Sequence, residues 1–358
     1  MEPTFGAPGK FEKRWREAGL TRWYDIHYTK EIPVTKAMAP FKAVENIETV
    51  ESSPKISRVG GGKKTMKAAY SGLETESPAV RTSVTARDIS SGFNDPQLEN
   101  QWHYNNLGGQ MMAEGSDINL FRAWQLTTGN PEVIVSVVDG GIDHLHEDLV
   151  GNVWINEREL RGAEGIDDDG NKYVDDIYGW NFVWNTKNVT ADDHGTHVAG
   201  TIAAVNNNGI GVAGVAGGDG TPNSGVKVMI CQIFDGEDGV ASNARTKRAI
   251  VYGADNGAVI SQNSWGYEWD YNSPRDQTIN QSDKEAIDYF IEHAGVDENG
   301  NQTGPMKGGI VIFASGNDYL NGRISMPGAY EKAFAVAAMT PNFKKADYTN
   351  IASWVNIT

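Results

Sequence analysis

A chain of 358 residues, 39% apolar and with 41 glycines, is long enough for one large domain or two smaller ones around a sizeable core. Its formal net charge of −16 repels phosphate backbones and anionic lipid surfaces, which argues for solubility and against nucleic-acid binding. The single cysteine, Cys231, excludes an intrachain disulfide and reads as a small buried side chain in VKVMICQIF.

The first twenty residues lack the apolar stretch of a secretory signal, so either the protein stays inside the cell or its start is missing. No run of about eighteen apolar residues occurs, and no membrane span is expected. Residues 1–57 read as a small α+β unit: RWYDIHY is β-rich, VTKAMAPFKAV is helix-capable apart from Pro40, and IETVESSPKI follows. Residues 58–92 mix glycine, serine and charge without a lasting period and read as a linker.

From about residue 93 to 358 the texture changes. EVIVSVVDG, VKVMICQIF, AVISQNSWG, GIVIFASGN and AFAVAAM are buried-strand candidates. Between them, 240–256 places Ile250, Val251 and Ala254 on one helical face, and 281–294 does so with Ala286, Ile287, Phe290, Ile291 and Ala294. Alternation of this kind predicts an α/β domain whose parallel sheet is covered on both faces, with reactive groups at the carboxyl ends of its strands.

Asp139 closes VIVSVVD and puts a carboxylate at such a strand exit, although a turn or helix-capping aspartate would read the same way. His194 opens the helical pattern GTHVAGTIAAV. Zinc needs a third ligand and favours histidines at i, i+4, whereas His194 and His197 are i, i+3. An imidazole oriented by a buried carboxylate can instead take a proton from a hydroxyl, which leaves His197 as a helix residue facing the sheet. Asn317 ends GIVIFASGND, where its amide could donate to a developing oxyanion or simply serve a turn. GIDDDGNKYVDDIYGW offers Asp167, Asp169, Asn171, Asp175 and Asp176, hard oxygen ligands spaced around a glycine as a calcium loop needs; a solvated acidic turn is the alternative. It is no EF-hand, since Lys172 and Tyr178 occupy the positions of the required glycine and glutamate.

In chain order, VVDGGIDHLHEDL, DDHGTHVAGTIAA, ISQNSWG and VIFASGND resemble the successive signatures of the subtilisin-like serine proteases, from about Gln101 to the end. The resemblance implies a subtilisin-like three-layer fold, a parallel sheet between helices, incomplete at its C-terminus. It implies Asp139 as orienting carboxylate, His194 as general base and Asn317 as oxyanion donor. Ser264, Trp265 and Gly266 look like the strand edge that pairs with a polypeptide substrate, and Ala314, Ser315 and Gly316 like the other wall of the primary pocket. Trp265 is expected to narrow or reshape that pocket. A tight calcium site is implied at Asp148 and the loop AVNNNGIGV, with Val205, Ile210 and Val212 giving carbonyls and Asn207 or Asn208 a side chain.

The family's nucleophile stands in a Gly-Thr-Ser-Met-Ala type motif, and none of the serines after His194 lies in one. The expectation is a serine endopeptidase precursor cut short before its serine, so that the 358 residues alone are inactive; a pseudoprotease that binds peptides is the alternative. By the same resemblance, residues 1–57 look like an inhibitory prodomain acting in cis, with processing between about 58 and 92; an unrelated N-terminal accessory domain is the alternative, and the protein is expected to be exported.

Overall fold

The computed structural model describes residues 1–28, 31–59, 91–109, 111–236, 241–272 and 274–358. Its strands are β1 (Glu2–Pro3), β2 (Tyr24–Asp25), β3 (Lys55–Arg58), β4 (Ile134–Asp139), β5 (Gly179–Asn181), β6 (Lys227–Gln232), β7 (Ala241–Ser242), β8 (Ile260–Asn263), β9 (Trp265–Tyr267), β10 (Ile310–Ala314) and β11 (Phe334–Val336). Its α-helices are α1 (Glu12–Glu17), α2 (Val34–Lys42), α3 (Leu120–Ala123), α4 (Glu157–Arg161), α5 (Asp193–Ala203), α6 (Asn243–Asp255) and α7 (Gln281–His293).

Six strands make one parallel sheet in the order β11-β10-β8-β4-β6-β5. From β4 the chain crosses to the edge strand β5 and returns to β6 between the two, then continues to β8, β10 and β11 on the other side of β4. That reversal opens a crevice at the carboxyl ends of β4 and β8. IVSVVD and KVMICQ are apolar on both faces because both faces are covered. Val135 and Val137 of β4 pack with Ala199 and Ala203 of α5, while Val138 joins the cluster that holds Ile250 of α6 and Phe290 of α7. Small residues set the layer spacing. A Cβ on Gly195 of α5 would meet the Gly141 carbonyl at 2.0 Å, and one on Gly253 of α6 would meet Ser136 Oγ at 2.7 Å.

The same packing corrects the expectation for His197. Gly195, Ala199 and Ala203 recur every four residues and face the sheet, so a residue two positions after Gly195 lies on the opposite side, and His197 is exposed.

The N-terminal residues dock on the outer helices. Phe5, Phe11, Trp15 and Leu20 are buried in one cluster with Tyr252 and Tyr289. The Arg14 guanidinium pairs with Asp255 and also reaches Tyr289, and Trp15 Nε1 donates to the same carboxylate at 3.0 Å. α2 forms over the expected segment with Pro40 inside it and buries none of its residues. Of the 58–92 segment expected as a linker, residues 60–90 lie outside the described residues.

Candidate active site

Asp139, the last residue of β4, is 1% exposed, and its Oδ1 accepts the Gly140 amide at 2.7 Å. His194 enters the same crevice from the first turn of α5. Asp192 caps that helix, its Oδ1 accepting the Gly195 amide at 3.1 Å, so the backbone holding the imidazole is fixed from below. Gly141, at φ +108°, brings its carbonyl against Gly195 where a side chain would collide. His194 Nδ1 consequently lies 2.9 and 3.0 Å from the two Asp139 oxygens. That bond raises the histidine pKa above its ordinary value; burial opposes it, the carboxylate charge and the Val59 carbonyl add to it, and Arg58 opposes it. A carboxylate of this kind selects the tautomer and stabilises the imidazolium, which equips His194 as a proton acceptor.

The outer nitrogen, Nε2, is 3.1 Å from the backbone carbonyl of Val59. That carbonyl belongs to an extended segment lying in the crevice. β3 pairs antiparallel with β9 through Ile56 with Tyr267, Ser57 with Gly266 and Arg58 with Trp265, and on its other side with β7. The Val59 amide extends the ladder by donating to the Ser264 carbonyl at 2.9 Å. Ser264, Trp265 and Gly266 thus form an edge that holds a peptide by main-chain bonds. The Trp265 ring is 1% exposed and packs edge-on against Phe313, centroids 5.1 Å apart. Upstream, the Glu51 carboxylate sits on the N-terminus of α7, accepting the Gln281 amide at 2.8 Å, the Ser282 amide at 3.3 Å and the Ser282 hydroxyl.

Ala314 ends β10, and Ser315, Gly316 and Asn317 follow, lining a cavity of about 250 Å³ with Gln262, Ile312 and Thr349. Asn350, fully buried, shapes this turn. Its Nδ2 donates to the Ser315 carbonyl at 3.0 Å, and its Oδ1 accepts the Asp318 and Leu320 amides at 2.9 and 3.1 Å. Gly316 has φ +107°, and a Cβ there would meet Asn350 Nδ2 at 2.3 Å. The Ser315 hydroxyl is buried and donates to the Asn350 carbonyl at 2.9 Å, which excludes it as nucleophile.

The acidic loop is arranged differently from the sequence expectation. Asp167 and Asp169 meet Glu159 of α4, each offering an oxygen within 4.8 Å of the others. Asp175 turns away to Lys187 at 2.7 Å, which holds its carboxyl below the usual range. Asp176 turns inward and accepts from Tyr252 at 2.6 Å, Asn171 at 2.9 Å and Asn156 at 2.8 Å; burial pushes its pKa up to about 7. In this arrangement Asn171, Asp175 and Asp176 have protein partners, and Glu159 is the carboxylate beside Asp167 and Asp169 that the loop sequence alone does not show.

Around Asp148 the structure separates the two asparagines. Asn208 Nδ2 reaches Asp148 Oδ1 at 2.7 Å, whereas Asn207 Nδ2 points to the Asp219 carbonyl at 3.4 Å. Asp148 Oδ2 accepts the Val212 amide at 2.9 Å, the Val205 amide bonds the Asp148 carbonyl at 2.8 Å, and the Ile210 amide bonds Asn208 Oδ1 at 2.7 Å. Burial, with the nearby Asp95 charge adding, raises the Asp148 pKa, so a cation would be welcome there.

Comparison with known proteins follows the same lines. A family model described as the subtilase family matches residues 130–357. Subtilisin-like protease 1 of Plasmodium falciparum (isolate 3D7) is 34% identical over 224 residues, covering 62% of this chain and 28% of that protein. The protein of the same name from Plasmodium berghei (strain Anka) is 42% identical over 147 residues, covering 40% of this chain and 22% of that protein. The extracellular basic protease of Dichelobacter nodosus is 28% identical over 292 residues, 74% of this chain and 40% of that protein. The chain thus spans less than half the length of each of these relatives.

Proposed function

The chain belongs to the subtilase family, and on that premise we propose that it is the main part of a serine endopeptidase precursor whose own N-terminal segment occupies its active site. The observation that carries this reading is the bridge at His194, with Asp139 on one ring nitrogen and a peptide carbonyl on the other. In the reaction, a serine Oγ attacks the carbonyl carbon of the bound polypeptide while His194 Nε2 takes the hydroxyl proton. Asn317 donates to the developing oxyanion, the C–N bond breaks, and the proton passes from His194 to the leaving amine. Water then repeats the sequence to release the acyl group. The serine itself is proposed to come from sequence outside these 358 residues.

Because the Val59 carbonyl meets His194, the bond proposed for processing is Val59–Gly60, with residues 1–59 remaining as an inhibitor in cis. Glu51 on α7 and the apolar anchors of residues 5–20 support this reading, since both fasten the segment to the domain it would block. The full gene product tests it: a Gly-Thr-Ser motif beyond codon 358, serine-inhibitor-sensitive peptide hydrolysis and a mature form starting at Gly60 are expected. A stop codon together with no turnover would make the protein a peptide-binding module instead. A mature form that retains Met1 would remove the prodomain reading.

Two structural calcium sites belong to the proposal, one held by Glu159, Asp167 and Asp169 and one by Asp148 with Asn208. The three carboxylates converge while each accepts backbone amide bonds, with Lys10 Nζ 3.7 Å from Asp169, and a cation between them would relieve their mutual repulsion. Among the described residues no helix is long and apolar enough to cross a membrane. Export is proposed from the extracellular relative, and recovery of the processed form solely from cytosol would oppose it.

A further inference from the structure

Period-two geometry turns the side chains of Ile56 and Arg58 of β3 toward the domain, while Lys55 is exposed. Ile56 is fully buried among apolar side chains. Arg58 enters something more specific. Its Nη2 is 2.8 Å from Asp192 Oδ2, the two side chains being 4% and 8% exposed, and its guanidinium carbon lies 5.0 Å from the centroid of the buried Phe234 ring. Gly140 supplies the space: a Cβ there would fall 1.8 Å from Arg58 Nη2 and 2.6 Å from Asp192 Oδ1.

We propose that Asp192, Phe234 and Gly140 form a pocket that selects arginine as the penultimate residue before the bond to be cut, making this a protease for polypeptides with Arg-Xaa ahead of the cleavage point. The inference rests on the reading that β3 follows the path of a substrate. Asp192 divides its oxygens between two partners, the α5 amide of Gly195 on Oδ1 and the guanidinium on Oδ2, so the helix holds the carboxylate in position before any ligand arrives. A planar guanidinium can pair with the carboxylate and lie over the Phe234 ring at the same time, whereas a lysine ammonium reaches the charge without the stacking. Arg58 Nε has no partner among the described residues, so recognition falls on the outer end of the side chain.

Two measurements read the pocket separately from catalysis. In the 358-residue chain, Arg58→Ala should speed hydrogen exchange of the Val59 amide by roughly tenfold or more, with Arg58→Lys intermediate and the Gly195 amide of α5 within about twofold. Val59 exchange within about twofold of the parent in Arg58→Ala would overturn the pocket. In the complete gene product, kcat/KM for Lys-Ile-Ser-Arg-Val-Gly should exceed that for Lys-Ile-Ser-Ala-Val-Gly by roughly tenfold or more. Asp192→Asn keeps an acceptor for the Gly195 amide but loses the charge, and it should shrink that ratio to under about threefold. Equal turnover of the two peptides overturns the arginine pocket and leaves the endopeptidase reading intact. Turnover of neither overturns the endopeptidase reading, and the exchange result then decides the pocket.

Discussion

His194 Nε2 lies 3.1 Å from the Val59 carbonyl oxygen while Nδ1 lies 2.9 Å from Asp139, and only the imidazolium can donate in both directions at once. A neutral ring that keeps its proton on Nδ1 turns a lone pair toward the carbonyl. The folded-state pKa is raised, chiefly by the Asp139 bond. The resulting stabilisation is fully present below the unfolded value of about 6.5 and is lost as pH rises through the folded pKa. We therefore expect the ¹⁵N NMR titration of His194 to centre above 6.5 and the Val59 contact to loosen at alkaline pH. Asp139→Asn should bring the midpoint down, and a midpoint at or below 6.5 in the parent chain would contradict this account.

Gly195 and Gly200 stand on the same helix in opposite situations. A Cβ on Gly195 would sit 2.0 Å from the Gly141 carbonyl, a backbone atom that cannot swing aside, whereas one on Gly200 has nothing within 4 Å. Gly195→Ala should cost about 1–3 kcal/mol in urea denaturation and shift His194 off Asp139, visible as a lowered histidine pKa. Gly200→Ala should stabilise by about 0.5–1 kcal/mol, since it removes a helix-interior glycine without a clash. The reverse order of the two variants would refute the close approach of α5 to the sheet.

Two arginines on α1 make a similar contrast. Arg14 and Asp255 are 7% and 6% exposed, and removing one partner strands the other charge in the core. Arg14→Ala is expected to cost about 3–5 kcal/mol and to undock the N-terminal residues, which proteolysis near Trp15 would register. Arg16 pairs with Glu12 in the open, at 70% and 55% exposure, so Arg16→Ala should leave the melting temperature unchanged.

What the sequence shows by itself is local. The strands around Asp139, Cys231 and Phe313 announce themselves as apolar runs, and the helix faces of α6 and α7 as 3.6-residue periods, because burial on both sides of a sheet writes itself into contiguous sequence. The motifs around Asp139 and His194 mark the two residues that the structure brings into contact, and the motif around Asn317 marks a residue that lines the neighbouring cavity. β5 is three residues long, too short for any periodic signal. Glu159, Asn350 and the Arg58–Asp192 pair escaped because each acts on residues distant in sequence, Arg58 on a partner 134 positions away. His197 faces solvent instead of the sheet because its spacing from His194 says nothing about which face of α5 the sheet covers; Gly195, Ala199 and Ala203 mark that face.

The acidic loop offers the sharpest remaining test, because its sequence and its folded geometry nominate different ligands. Sequence spacing makes Asp175 a calcium ligand; the fold gives its carboxylate to Lys187 and puts Glu159 beside Asp167 and Asp169 instead. Calcium at about one hundred times its dissociation constant should stabilise the chain by about 2.7 kcal/mol per site, and chelator should remove that gain. Glu159→Gln and Asp148→Asn should each abolish part of the calcium-dependent rise in melting temperature, since each removes a charge from a different site. Asp175→Asn should lower the melting temperature with and without calcium alike, through the lost Lys187 pair, and keep the calcium increment. Loss of the increment in Asp175→Asn with its retention in Glu159→Gln would return the site to the ligand set read from spacing. A melting temperature indifferent to chelator in the parent chain would remove both sites.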